Sequence, residues 1–294
     1  MAIAAVPAQS DSTMPMQQGF QYLQSENFAS AVNTFSGILR AEPNNSQARL
    51  GLAIALIGVE KFADASREIA KLLARSPKDA KLLEMAAQTF RQQKRFAEAE
   101  KVLKRRLDLG EETAELLALY GDVLEAQKRT IEAASAYEKV VRLNSDSLNY
   151  RYALGSLYWK GSRFEDAERE FLEILRRQPN EPRASFNLGD IYLFRGNAAK
   201  SIALLETSAK AFPDEFDTRF TLGRAYLATN NYQSAIEQLE IAVKLRPEIA
   251  EGFYQLALAF QRSGRRDEAK ITFKKAQELQ KAKRASENVT KSIN

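Results

Sequence analysis

Apolar and polar positions along the chain recur with a period of 34 residues. Ala31, Ala65, Ala99, Ala133, Ala167, Ala235 and Ala269 form one column, which Ser201 completes. Four residues later runs a column of large apolar side chains: Phe35, Ile69, Leu103, Tyr137, Phe171, Leu205, Leu239 and Phe273. With repeats counted from Ser12, Ser46, Ala80, Ala114, Leu148, Pro182, Phe216 and Ala250, the eighth position is always small: Gly19, Ala53, Ala87, Gly121, Gly155, Gly189, Gly223 and Ala257. The eleventh is always bulky: Tyr22, Leu56, Phe90, Leu124, Tyr158, Tyr192, Tyr226 and Phe260. A fixed period of this length marks a repeat array, in which each unit buries its apolar face on the next.

Each unit carries two apolar stripes of helical spacing. In the fifth repeat the first is Leu154, Leu157 and Tyr158, and the second is Ala167, Phe171 and Ile174. Between them, Lys160-Gly161-Ser162-Arg163 reads as a short polar turn built on its glycine. Small residues at positions 8 and 20 allow two helix backbones to approach closely. Proline at position 32 (Pro43, Pro77, Pro179, Pro213, Pro247) cannot continue a helix and ends the second one. The third repeat has Glu111 there and is expected to stop at Gly110 in a left-handed conformation. The fourth offers only Asn144-Ser145-Asp146, a softer stop. The pattern predicts an all-α chain of antiparallel helix pairs. Its expected layout is a lead-in over 1–11, eight repeats over 12–283 (12–45, 46–79, 80–113, 114–147, 148–181, 182–215, 216–249 and 250–283), and a basic polar tail over 284–294.

These columns resemble the tetratricopeptide repeat (TPR), whose signature is a small residue at 8, an aromatic at 11, alanine at 20, an aromatic at 24 and proline at 32. The resemblance covers Ser12 to about Lys283. It implies a right-handed superhelical solenoid that serves as a protein–protein interaction scaffold. It does not identify the partner, because fold does not fix cargo.

In the first helix, positions 4, 7, 8 and 11 form the packing face, and positions 5, 9 and 12 form the adjacent stripe. By the resemblance, that stripe lines the concave groove, with positions 2 and 13 beside it. Position 5 reads Met16, Leu50, Glu84 and Ala118, then Tyr152, Phe186, Phe220 and Tyr254. Trp159 and Leu193 stand at position 12, Phe194 at 13, and Asp190 and Arg224 at 9. Aromatic side chains with a few charges are the composition of a peptide-anchoring surface. The candidate binding residues are therefore Tyr152, Trp159, Phe186, Asp190, Phe194, Phe220, Arg224 and Tyr254, all in repeats five to eight. Position-5 aromatics can instead pack against the neighbouring repeat, whereas Trp159 and Phe194, at positions 12 and 13, lie farther from the helix-pair core and are the stronger candidates for ligand contact. Some relatives hold a peptide carboxylate with Lys, Asn and Arg at fixed positions of three successive repeats. That pattern is not present, since Asn187 stands alone at position 6.

The chain has no histidine and no cysteine, which removes imidazole and thiolate chemistry and the common zinc ligands. It carries no glycine-rich phosphate loop. No catalytic residue, metal or cofactor is expected, and the chain does not read as an enzyme. No apolar run approaches the ~20 residues that cross a bilayer, so no transmembrane segment is expected. The net charge is +5, and from Lys274 onward six bases face two acids. This end reads as a solvated capping helix whose lysines suit a helix C-terminus, or as a contact for an acidic partner, anionic lipid or nucleic acid. No aromatic follows Phe273, so nucleic acid is not an expected partner. Ala2 to Ala8 is apolar, and Val6-Pro7-Ala8-Gln9 resembles the end of an export signal, yet no basic segment precedes it. A soluble cytoplasmic chain is expected, with a periplasmic or exported one as the alternative. The expected function is non-catalytic binding of a protein or peptide in the groove. The alternative is a self-associating (homo-oligomeric) or envelope-assembly adaptor that docks through its ends or convex face.

Overall fold

The computed structural model describes residues 13–293, and side chains as far as 286. The expected lead-in over 1–11 lies outside the described residues. The chain is 80% helical without strands among the described residues. The sixteen described helices are α1 (Thr13–Gln24), α2 (Phe28–Ala41), α3 (Ser46–Gly58), α4 (Phe62–Arg75), α5 (Ala80–Gln92), α6 (Phe96–Leu107), α7 (Ala114–Ala126), α8 (Thr130–Leu143), α9 (Leu148–Lys160), α10 (Phe164–Arg177), α11 (Pro182–Phe194), α12 (Ala198–Ala211), α13 (Phe216–Ala228), α14 (Tyr232–Leu245), α15 (Ala250–Arg262) and α16 (Arg266–Ile293). They form eight pairs, one per repeat. The pairs fall into two compact units, the first ending at Asn144 and the second beginning at Ser145. The division lies at the soft Asn144-Ser145-Asp146 stop.

Each pair is joined by the same closed turn. Position 15 is left-handed in all eight repeats: Glu26, Glu60, Lys94, Lys128, Ser162 and Asn230 have φ of 57–62°, and Gly196 and Gly264 have φ of 79° and 85°. The next residue's N–H then donates to the carbonyl of position 11, as in Arg163 to Tyr158 at 2.8 Å and Asn197 to Tyr192 at 2.8 Å. These bonds satisfy carbonyls that the helix end would leave open. In the fifth turn two residues share the work. Gly161 caps α9 at φ −84°, and Ser162 takes the left-handed place at φ 59°. Gly110 does stop the third repeat left-handed, at φ 93°.

Close approach within a pair depends on position 8. A Cβ built on Gly121 would sit 2.7 Å from the Tyr137 ring, and one on Gly223 would sit 2.5 Å from Leu239. Opposite, the position-20 alanines of the first five repeats and Ala235 are fully buried. Ser201 is equally buried, and its hydroxyl donates to the Ala198 carbonyl at 2.7 Å. The small columns thus admit the large position-24 side chains between two backbones, which is how each pair fills its core.

Position 4 holds a feature that the apolar pattern hid. In three repeats it is arginine, and each arginine reaches the position-23 side chain of the second helix. Arg151 pairs with Glu170 at 2.6 Å, Arg219 donates to Gln238 at 2.7 Å, and Arg49 pairs with Glu68. Each also donates to a backbone carbonyl six residues back: Ser145 at 3.1 Å, Pro213 at 2.9 Å, and Pro43. The third and fourth repeats use Leu83 with Val102 and Leu117 with Ala136, all buried. Finally, α16 continues past Lys283 to Ile293.

Candidate partner-binding face

The second unit presents α9, α11, α13 and α15 as its first helices, and all eight candidate residues lie on them. The position-5 aromatics serve packing on one side and surface on the other. Tyr152 meets Phe171 edge-on at 5.8 Å, its hydroxyl accepts from the Asn187 amide at 3.0 Å, and the Arg183 guanidinium lies over its ring at 4.9 Å. Phe186 packs on the buried cluster of Leu205, Ala209, Leu222 and Ala225. Phe220 stacks on Phe216 at 5.3 Å and carries Arg224 over its ring at 5.6 Å. Tyr254, 45% exposed, meets Phe273 edge-on at 5.6 Å. The face is therefore an aromatic base partly covered by guanidinium groups, an arrangement favoured by the ring quadrupole.

Trp159 is 37% exposed at the end of α9, and Phe194 is 68% exposed at the end of α11. Their surroundings differ. The Phe194 ring rests on Phe164 of α10 at 4.7 Å, while its neighbour Arg195 pairs with Glu165 and with Glu168 at 2.6 Å on the same helix. Phe194 thus leans toward a second helix rather than along the stripe of first helices.

Across α11, α13 and α15 the surface sinks into a shallow depression of about 250 Å³. Leu193, Leu227 and Leu258 give it an apolar floor, and Arg224 and Arg262 stand at its sides. Arg262 was not among the sequence candidates. It shares position 13 with Phe194, and only the packing of three successive helices shows that this position of the eighth repeat borders the stripe. Asp190 lies half-buried nearby. Burial pushes its carboxyl pKa above the ordinary value; Arg224 opposes the shift and Asp217 adds to it. A carboxylate perturbed by burial beside a charge partner is a candidate for partner contact.

Sequence models of the tetratricopeptide repeat match residues 22–89, 85–147, 152–216 and 250–283, and a TPR repeat model matches 223–264. This chain belongs to the tetratricopeptide repeat family. Comparison with curated proteins finds no match. Among solved structures it is similar to a tetratricopeptide repeat protein from Parabacteroides merdae, with 18% identity over 85% of this chain and 99% of that one, at a TM-score of 0.59. It is also similar to MamA from Desulfovibrio magneticus RS-1, with 22% identity over 58% of this chain and 97% of that one, at a TM-score of 0.55. MamA of AMB-1 shows 26% identity over 57% of this chain and 92% of that one, at a TM-score of 0.52. The first two likenesses establish shared fold. Family membership makes the chain a protein-interaction scaffold in general terms. Among the described residues, no helix is long and apolar enough to cross a membrane.

Proposed function

We propose that this chain is a non-catalytic scaffold that holds a partner segment, extended or helical, along the first helices of repeats five to eight. The observation that carries the reading is the depression in which Leu193, Leu227 and Leu258 lie between Arg224 and Arg262. An aliphatic side chain of the partner fits the leucine floor, where full burial contributes on the order of 1.5–3 kcal/mol. A partner carboxylate beside it meets the two guanidinium groups. Trp159 and Tyr254 extend the apolar contact toward the two ends of the stripe, and Asp190 selects against acid at its own position. Such spacing of apolar anchor and charge sets register more than raw affinity.

The test is an affinity capture from extracts of the source organism with the wild type, with Arg224→Gln/Arg262→Gln, and with Trp159→Ala. A partner captured by the wild type and lost from both variants, with circular dichroism unchanged, supports the assignment. Equal capture by all three proteins removes the site from this face.

A further inference from the structure

Within each unit, three columns of the second helices contribute to the joint with the following pair. Position 17 does so through Phe164, whose ring meets Phe194 of α11. Position 21 is an acid in two repeats, where Glu100 accepts from Gln127 at 3.0 Å and Arg129 at 2.8 Å and Glu168 pairs with Arg195 at 2.6 Å, and is Val32, Ser66, Ala134, Ile202 and Ile236 in the others. Position 28 does so through Val243, which lies 3.2 Å from where a Cβ on Gly252 of α15 would stand. Position 28 is aliphatic in seven repeats (Leu39, Leu73, Leu107, Val141, Leu175, Ala209, Val243). In the eighth repeat these columns change together to Arg266, Lys270 and Gln277.

The change is one of sign as well as polarity. At 100° per residue, Arg266, Lys270, Lys274, Lys281 and Arg284 fall within an arc of about 80° on α16 and span about 27 Å. All five are exposed. Asp267 and Glu278 lie beyond one edge of the arc. Beside the first half of the stripe is a trough of about 1020 Å³, lined by Gln261 of α15 and by Ala269, Phe273, the exposed Ile271 and one acid, Asp267. A cap that served solubility alone would need polar groups but not one sign of charge. At position 21 no earlier repeat carries a base, and the eighth carries Lys270.

We infer that this face of α16 docks an acidic amphipathic helix of a partner protein. The helix would lie along α16, with apolar residues over Phe273 and carboxylates against the stripe. The trough favours a cylinder over a flat bilayer, and its single aromatic, Phe273, is engaged edge-on with Tyr254 rather than offered in a row of stacking platforms. A second copy stacked head to tail is a poor occupant, because its α1 (Thr13–Gln24) carries no charged side chain. This site shares no side chain with the leucine depression of α11, α13 and α15 and meets that face only where Phe273 touches Tyr254 and Gln261 lines the trough.

The probe is a labelled synthetic peptide of residues 111–127, a first-helix segment with five carboxylates (Glu111, Glu112, Glu115, Asp122, Glu125) and no cation. In the folded chain α7 is packed within the first unit against α8. Fluorescence anisotropy should show saturable binding that weakens with salt, and about tenfold weaker binding to Arg266→Gln/Lys270→Gln/Lys274→Gln, whose exposed changes leave the fold intact by circular dichroism. The same peptide with its five acids changed to amides should not bind. The inference fails if the acidic peptide does not bind, or binds the triple variant equally. It also fails if phosphatidylserine vesicles or a single-stranded oligonucleotide bind through the stripe while the peptide does not. Binding that is lost only in Arg224→Gln/Arg262→Gln would overturn this inference and leave the proposed groove site standing.

Discussion

Glu170→Val alone should destabilise the second unit, and the same change combined with Arg151→Leu should not. The Arg151 and Glu170 side chains are 13% and 10% exposed and pair at 2.6 Å. Removing one member leaves a nearly buried charge without its counterion, which costs about 3–5 kcal/mol. Replacing both by apolar groups of similar volume is neutral to stabilising in comparable pairs. The chain contains its own precedent. Leu83 with Val102 and Leu117 with Ala136 occupy the same two positions and are buried without charge. The Arg151 Nε is buried without a hydrogen-bond partner, so the native pair is incompletely satisfied. The double variant should therefore lie within about 1 kcal/mol of the wild type, and Glu170→Val about 3 kcal/mol below it. Urea titration followed by circular dichroism, with hydrogen exchange of α9 and α10 amides as a local readout, measures both. Repeat arrays can unfold in parts, so the local readout decides. A double variant as unstable as the sum of its singles would refute the reasoning.

Other outcomes follow from the same structure. Asp190→Asn should raise the melting temperature at pH 7. Because burial raises the native carboxyl pKa above its unfolded value, the charge destabilises the fold at neutral pH, and the gain should vanish at acid pH, where both states are protonated. Glu100 behaves oppositely. Burial raises its pKa, but hydrogen bonds from Lys104, Arg129 and Gln127 outweigh that and lower it to about 2. Its stabilisation is complete above the ordinary value of 4.5 and is lost as the pH falls toward about 2, so Glu100→Gln should flatten the melting-temperature profile in that window. Ser162→Gly should stabilise by about 0.5–1 kcal/mol in thermal unfolding, since glycine takes the left-handed conformation without the Cβ penalty.

Nearly all of the architecture was legible in the sequence, because a strict period places every helix once a single unit is read. Ala31 and its equivalents, and the glycines opposite Tyr137 and Leu239, stand where the columns placed them. The closed turn was less legible. Six of its eight left-handed residues are not glycine, and local hydrogen bonding rather than residue type maintains them. The arginine locks at Arg49, Arg151 and Arg219 escaped notice because each needs a partner nineteen residues away on another helix. At the candidate face, residue types were legible and contacts were not. Tyr152 and Tyr254 pack edge-on against position 24, Phe194 leans on Phe164, and Arg262 joins the leucine depression, none of which a helical stripe alone reveals.

The most direct test of the central claim is site-specific photocrosslinking in the source organism, with p-benzoylphenylalanine placed in turn at Trp159, at Leu258 and at Leu172. The first two lie on first helices of the second unit, whereas Leu172 is 45% exposed on α10. The account predicts a discrete crosslinked partner from positions 159 and 258 and none from position 172. A partner trapped from position 172 and from neither of the others would contradict it.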